Sequence, residues 1–255
     1  MSAALEIVAL TALPEVAHGD PLGELLAAAA RDAGRRPEDA DVIVVAQKIV
    51  SKAEGRTRML AEVEPGERAR AVAAELGKDA RLVELILAES RRIVRAEGAV
   101  LIVETHGGWI CANAGIDGSN VPGEEVVTLL PEDADTSARR IRAELAEACG
   151  ARPAVLVSDS FGRPWRLGQT DVAIGCAGLV PIDDWRGRAD AHGQPLAATA
   201  IAIVDQLAAA ADLVRDKASG APAALIRGVG RWRTDDDGPG AATALQRPAA
   251  EDLFR

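Results

Sequence analysis

The 255-residue sequence has no tyrosine, two phenylalanines and four tryptophans, an aromatic share of 2%. So few rings exclude a base-stacking platform for single-stranded nucleic acid. A formal net charge of -10 excludes the broad basic face that nucleic acid or an anionic membrane requires. The three cysteines, Cys111, Cys149 and Cys176, are odd in number and widely spaced, so they form neither a disulfide framework nor a zinc knuckle. The three histidines, His18, His106 and His192, share no ligand spacing. Any metal site must then rest on oxygen ligands, which favours Mg²⁺ or Mn²⁺. There is no basic stretch followed by a long apolar one at the N-terminus, and no apolar run of roughly 18 residues. The expectation is a cytoplasmic protein with no nucleic-acid and no membrane partner. The sequence also lacks GxxxxGK[ST], a strand-linked GxGxxG and a GxSxG elbow, so the common glycine-loop devices and the hydrolase elbow are absent.

What is present is globular: 48% apolar and 27% charged residues, enough for one large domain or two small ones. No internal repeat is visible. Short apolar runs at residues 5–10, 42–46, 99–103, 109–112, 126–130, 154–157 and 223–226 predict strands. Asp20-Pro21 is an N-cap and first-turn pair for a helix carrying Leu22, Leu25, Leu26, Ala29, Ala30 and Ala33. Helices are also predicted at 67–76, at 80–96, from Thr136 or Ser137 to Gly150 with Arg139, Arg140 and Arg142 solvated, and at 195–217. Gly175 and Gly178 permit close backbone approach. From Arg231 onward the chain is rich in Asp, Gly, Ala and Pro and reads as a tail that wraps or frays, which divides it into a region 1–230 and a tail 231–255.

Three polar stretches interrupt this pattern. Residues 158–175, SDSFGRPWRLGQTDVAIG, follow a buried strand and place Asp159, Ser160, Arg163, Arg166, Gln169, Thr170 and Asp171 among glycines. A carboxylate at the end of a buried strand is costly unless a cation compensates it. A divalent ion held by Asp159 and the Ser160 hydroxyl would do so; an Asp–Arg salt bridge pinning a loop would do so equally well. Residues 113–123, NAGIDGSNVPG, form a long polar loop that offers Asp117 as a second carboxylate. Residues 47–56, QKIVSKAEGR, set Lys48 and Lys52 four apart at an expected strand end, either as a solvated edge or as point charges for a phosphate.

Together these motifs resemble the coenzyme F420-0:L-glutamate ligases. The resemblance is carried, in order, by LPEV at 13–16, QKIVSKAEGR at 47–56, AGIDGSNVPG at 114–123, SDSFGRPWRLGQTDVAIGCAGL at 158–179, and ADLVRDKASGAP followed by LIRG. It implies an α+β fold of mixed sheets with packed helices, in an intertwined homodimer. It implies a GTP-dependent ligase with two divalent ions, Mg²⁺ or Mn²⁺, and a monovalent cation such as K⁺. Its partners would be GTP, L-glutamate and coenzyme F420-0, with amide formation through an acyl phosphate. By motif, Leu13, Pro14, Glu15, Val16, Gln47, Lys52 and Asn120 would bind GTP, and Asp117, Asp159 and Ser160 would hold metal. Ser160 stands where relatives often carry Thr, and keeps the hydroxyl. Arg163, Arg166 and Gln169 are candidates for the anionic substrate. One departure is Asp216-Lys217, where some relatives carry Gly and then an acidic or amide residue. A ligase for another acceptor, or a GTP-binding protein without turnover, stays open.

Overall fold

A computed structural model describes residues 4–119, 123, 125–216 and 219–252. In chain order the elements are β1 (Glu6–Leu10), α1 (Leu22–Asp32), β2 (Val42–Ala46), α2 (Gln47–Ala53), β3 (Thr57–Met59), α3 (Glu67–Leu76), α4 (Ala80–Ala88), β4 (Ser90–Glu97), β5 (Val100–Thr105), β6 (Ile110–Ala112), β7 (Val126–Thr128), α5 (Ala134–Cys149), β8 (Ala154–Arg163), β9 (Arg166–Ala177), β10 (Ile182–Asp184), β11 (Ala200–Ala202), α6 (Ile203–Asp212), β12 (Ala223–Arg227) and α7 (Ala241–Leu245). This is the mixed α+β architecture expected from the resemblance.

The main sheet has five strands in the order β1-β12-β2-β8-β9. Only β2 and β8 run parallel, with Ala46 opposite Ser158; the other neighbours are antiparallel. Apolar side chains alternate between its faces, as the two-residue period of a strand dictates. Ile43, Val45, Val155, Val157 and Leu225 pack towards α1 and α5, whereas Val42, Val44, Leu156, Ala224 and Ile226 pack with Val204 and Leu207 of α6. A separate cluster, including Leu76, Val83, Ile86, Leu101, Val103 and Leu129, lies between α3, α4 and the three-stranded sheet β4-β5-β6.

Several expectations are corrected. The helix expected over 80–96 ends at Ala88, and Ser90–Glu97 is a strand paired with β5. β-Branched Ile93 and Val94 suit a pleated edge, and Gly98, at φ +57°, makes the hairpin turn. The helix expected over 195–217 is confined to Ile203–Asp212, because Ala200–Ala202 pairs with Ile182–Asp184. Residues 47–53 are helical rather than a strand end. Residues 158–175 are a β-hairpin rather than a loop: Ser160 faces Asp171 across it, and Pro164-Trp165 turns it with Trp165 at φ +61°.

Helix α5 is capped by Asp133, whose carboxylate accepts from the Thr136 N–H, in place of the Thr136 or Ser137 cap expected. Its Arg142, expected in solvent, is fully buried. Gly175 and Gly178 let α5 approach β9: a Cβ on Gly175 would stand 2.3 Å from the Ala134 carbonyl, and one on Gly178 2.5 Å from the Arg142 guanidinium carbon. The C-terminal segment wraps onto the same helix. Arg142 donates to Asp236 O and Asp237 Oδ1, both at 2.7 Å, and the buried Asp135 accepts from the Ala241 N–H at 2.7 Å. Among the described residues no helix is long and apolar enough to cross a membrane.

Candidate functional site

The parallel pair β2 and β8 ends in chemistry. Ala46, the last residue of β2, is followed directly by α2, while β8 continues as Ser158, Asp159 and Ser160. Ligand crevices form outside the carboxyl ends of parallel strands, where the chain diverges. Here a cavity of 890 Å³ opens, large enough for a nucleotide-sized ligand. It is lined by Leu13, Pro14, Glu15, Val16, Gln47 and Lys52, by Asp117, and by Asp159, Ser160 and Gln169. These residues come from four separate stretches of chain. Asn120 lies outside the described residues, as does Lys217. Arg163 and Arg166 are not among the lining residues. The Arg163 guanidinium instead donates to the carbonyls of Leu167 and Gly168 at the hairpin tip.

Each wall carries its own charge logic. Lys52 Nζ meets Glu15 Oε1 at 2.6 Å, and Lys48 Nζ meets Asp117 Oδ2 at 2.7 Å and Ser119 Oγ at 2.6 Å. Both lysines sit one turn apart on α2, so both ammonium groups reach the same cavity. Burial pushes the Asp117 carboxyl up, but Lys48 and the Ser119 N–H and hydroxyl outweigh it and hold it below the usual range. Asn113 and Ala114, at φ +53° and +55°, bend the chain just before this loop. Positive φ at two non-glycine residues is uncommon and stores strain beside the site.

Asp159 behaves oppositely. Burial, with the charges of Asp171 and Asp117 adding to it, pushes its carboxyl up to about 7 against the pull of the Ser160 N–H and Lys48. A half-buried carboxylate so raised is one a cation would stabilise. Among the described residues no group of three or more His, Cys, Asp and Glu side chains forms a ready-made cage. Mg²⁺ and Mn²⁺ do not need one: Mg²⁺ is commonly held by one or two carboxylates, with phosphate oxygens and water completing the shell. Asp159, Asp117 and the Ser160 hydroxyl fit that donor set.

Cys111 also lines the cavity, but burial and then the Asp159 charge push its thiol up to about 12. It is not a nucleophile, because the thiolate is the reactive form. Gln47 is buried, accepts from the Ser51 hydroxyl at 2.8 Å, and its amide Nε2 has no hydrogen-bond partner among the described residues. Such an orphaned donor is uncommon in a native interior and fits a ligand acceptor that the free protein lacks.

Comparison with known proteins identifies the family. The family model described as F420-0:Gamma-glutamyl ligase matches residues 11–228. The chain is 43% identical over 254 residues to the coenzyme F420:L-glutamate ligase of Methanothermobacter thermautotrophicus, covering 98% of this chain and 99% of that protein. It is 43% identical over 242 residues to the ligase of the same name from Methanopyrus kandleri, covering 94% of each. For the one from Archaeoglobus fulgidus the identity is 38% over 253 residues, covering 98% and 96%. The chain belongs to the F420-0:gamma-glutamyl ligase family.

The cavity of this F420-0:gamma-glutamyl ligase family member also contains groups to which sequence reasoning assigned no role. These are Asp171, Asp212 and Arg215; Lys48, a phosphate candidate by sequence, and Asp216, noted there as a departure from the family pattern, line it too. Asp171 was visible only as one polar residue among many; its pairing with Ser160 depends on the hairpin register. Arg215 follows α6 and gave no signal, since an arginine after a helix is ordinarily solvated.

Proposed function

We propose that this protein joins the amine of L-glutamate to the carboxylate of coenzyme F420-0, using GTP, within coenzyme F420 biosynthesis. The observation that carries the reading is the meeting, in one cavity, of the 13–16 segment, two lysines of α2, Asp117 and the Asp159-Ser160 pair. The family membership supplies the substrates, since the relatives are named as L-glutamate ligases of coenzyme F420.

In the proposed reaction a carboxylate oxygen of F420-0 attacks the γ-phosphorus of GTP, and GDP leaves. The glutamate amine then attacks the resulting acyl phosphate, forming the amide and releasing inorganic phosphate and a proton. Leu13, Pro14 and Val16 border the nucleotide, and Gln47 offers its unpaired amide donor. Lys52 and Lys48 exchange their carboxylate partners for phosphate oxygens, which offsets the charge gathered in transfer. Asp117, Asp159 and Ser160 would hold two divalent ions, Mg²⁺ or Mn²⁺, which supply Lewis-acid charge neutralisation to the phosphoryl group. A monovalent cation such as K⁺ would be an auxiliary ion. No His or Cys is needed as a nucleophile.

A homodimer is part of the reading. Leu167, beside the β8-β9 turn, is 96% exposed, Trp165 in that turn is 80% exposed, and Leu213 after α6 is 85% exposed. Large apolar side chains in such positions suit burial against a second copy. The test of function is to incubate the purified protein with F420-0, L-glutamate, GTP and Mn²⁺ and weigh the product. A gain of one or more glutamyl units is expected. F420-0 recovered intact with Mg²⁺ and with Mn²⁺, and with either GTP or ATP, would reject the assignment.

A further inference from the structure

Asp171 stands directly across the β8-β9 hairpin from Ser160. Its Oδ1 accepts the Ser160 hydroxyl proton at 2.6 Å, and its Oδ2 accepts the Ser158 hydroxyl proton at 2.8 Å. Arg215 Nη2 donates to the same Oδ2 at 2.5 Å and to Ser158 Oγ at 3.0 Å. Asp171, Ser158 and Arg215 are all buried, and all three line the cavity that holds Asp159.

A hydroxyl has one proton and two lone pairs. With its proton committed to Asp171, the Ser160 oxygen retains only acceptor capacity, the form that a cation requires of an alcohol ligand. With three donors on it, one of them a guanidinium, Asp171 is itself occupied and does not compete for the ion. The pair therefore orients a neighbour without joining the site. We propose that Asp171, held by Arg215, is a positioning residue that fixes the Ser160 hydroxyl as an oxygen donor to a divalent cation beside Asp159. This rests on the metal-dependent reading of the cavity. Outer partners of this kind typically change metal affinity by about 10–100-fold when replaced.

The Asp171→Asn variant places an amide N–H₂ or a weaker acceptor against Ser160. It should bind Mn²⁺, titrated alone and followed by electron paramagnetic resonance, about 10-fold or more weaker than the parent. Ser160→Ala should lose affinity similarly, and Asp171→Asn added to Ser160→Ala should lose little more, because the second change acts only through the missing hydroxyl. Circular dichroism checks the fold of each variant. Where Asp171→Asn fails to fold, the paired Asp171→Asn/Arg215→Gln variant removes both buried charges together, which is far less costly than removing one. The paired variant should show the same weak binding. A folded Asp171→Asn or paired variant with parental affinity overturns the proposal, as do losses that multiply in the Ser160→Ala background. Collapse of both variants assigns the pair to folding alone and likewise overturns it. A parent protein that binds no Mn²⁺ removes the metal reading itself, an outcome distinct from these.

Discussion

Asp171 and Arg215 meet at 2.5 Å, with side chains 7% and 4% exposed respectively. The Arg215 Nε and Nη1 atoms, also buried, have no hydrogen-bond partner among the described residues. Burial pulls the guanidinium down while the charges of Asp171 and Asp212 oppose that pull. This is a buried pair lining the cavity, not a surface bridge. Its worth lies in what happens when it is broken rather than in net attraction.

Removing one partner leaves the other charge uncompensated. Arg215→Ala is expected to lower folding stability by about 3–5 kcal/mol. The two-site Asp171→Asn/Arg215→Gln variant should lose less than Arg215→Ala alone. Urea unfolding of the three proteins checks the ordering, and equal losses in both variants would show that the charges do not act as a pair.

Asp159 should oppose stability while serving function. Its folded value of about 7 lies above the 3.8 of a free side chain, so its favourable contribution is complete below about pH 4 and lost as pH rises through about 7. In metal-free buffer at pH 8, Asp159→Asn should therefore melt higher than the parent, by about 2–4 °C for each kcal/mol relieved. At pH 4 the two should melt together. The same variant should lose most ligase activity, because a neutral amide cannot balance a divalent ion. Full activity in Asp159→Asn would remove Asp159 from the site.

Lys52, in the proposed reaction, exchanges one anion for another when the nucleotide binds. The Glu15 carboxylate occupies its ammonium at 2.6 Å in the free protein. Lys52→Ala should weaken GDP binding by about 10–100-fold, the worth of a charge-assisted hydrogen bond of about 1.5–3 kcal/mol. Calorimetric titration with GDP reads this directly. Unchanged affinity would place the diphosphate elsewhere.

The C-terminal segment is structural by its contacts. Ending the chain after residue 230 would strip Arg142 of Thr234 O, Asp236 O and Asp237 Oδ1 and leave a buried guanidinium under-satisfied. A loss of about 3–5 kcal/mol is expected. Thermal unfolding of the truncated and full-length proteins tests it, and indistinguishable midpoints would mean that the segment is dispensable for stability.

Much of this molecule was legible in its residues, for a physical reason. Four of the five strands of the main sheet contain short apolar runs, as buried strands must be apolar on both faces, whereas β9 begins with a polar, exposed half. The nucleotide and metal candidates were legible as motifs, and the structure brings ten of the candidate residues to one cavity while leaving Arg163 and Arg166 off its lining. What failed was length and register. Ile93 and Val94 continued a helical stripe by spacing, but their β-branched side chains joined a hairpin instead. Arg142 looked like a solvated helix residue because nothing local announces that Asp236 and Asp237, far along the chain, will return to it. The Asp171–Ser160 contact is invisible for the same reason, since it follows from pairing across a turn rather than from spacing.

The central claim is that one cavity binds metal and nucleotide together. A crystal of the protein soaked with GDP and Mn²⁺, with data collected at the manganese edge, tests it most directly. Anomalous density is expected at Asp159 and Asp117, within ligand distance of Ser160, with the diphosphate at Lys52. Manganese or diphosphate bound away from those residues would contradict the claim.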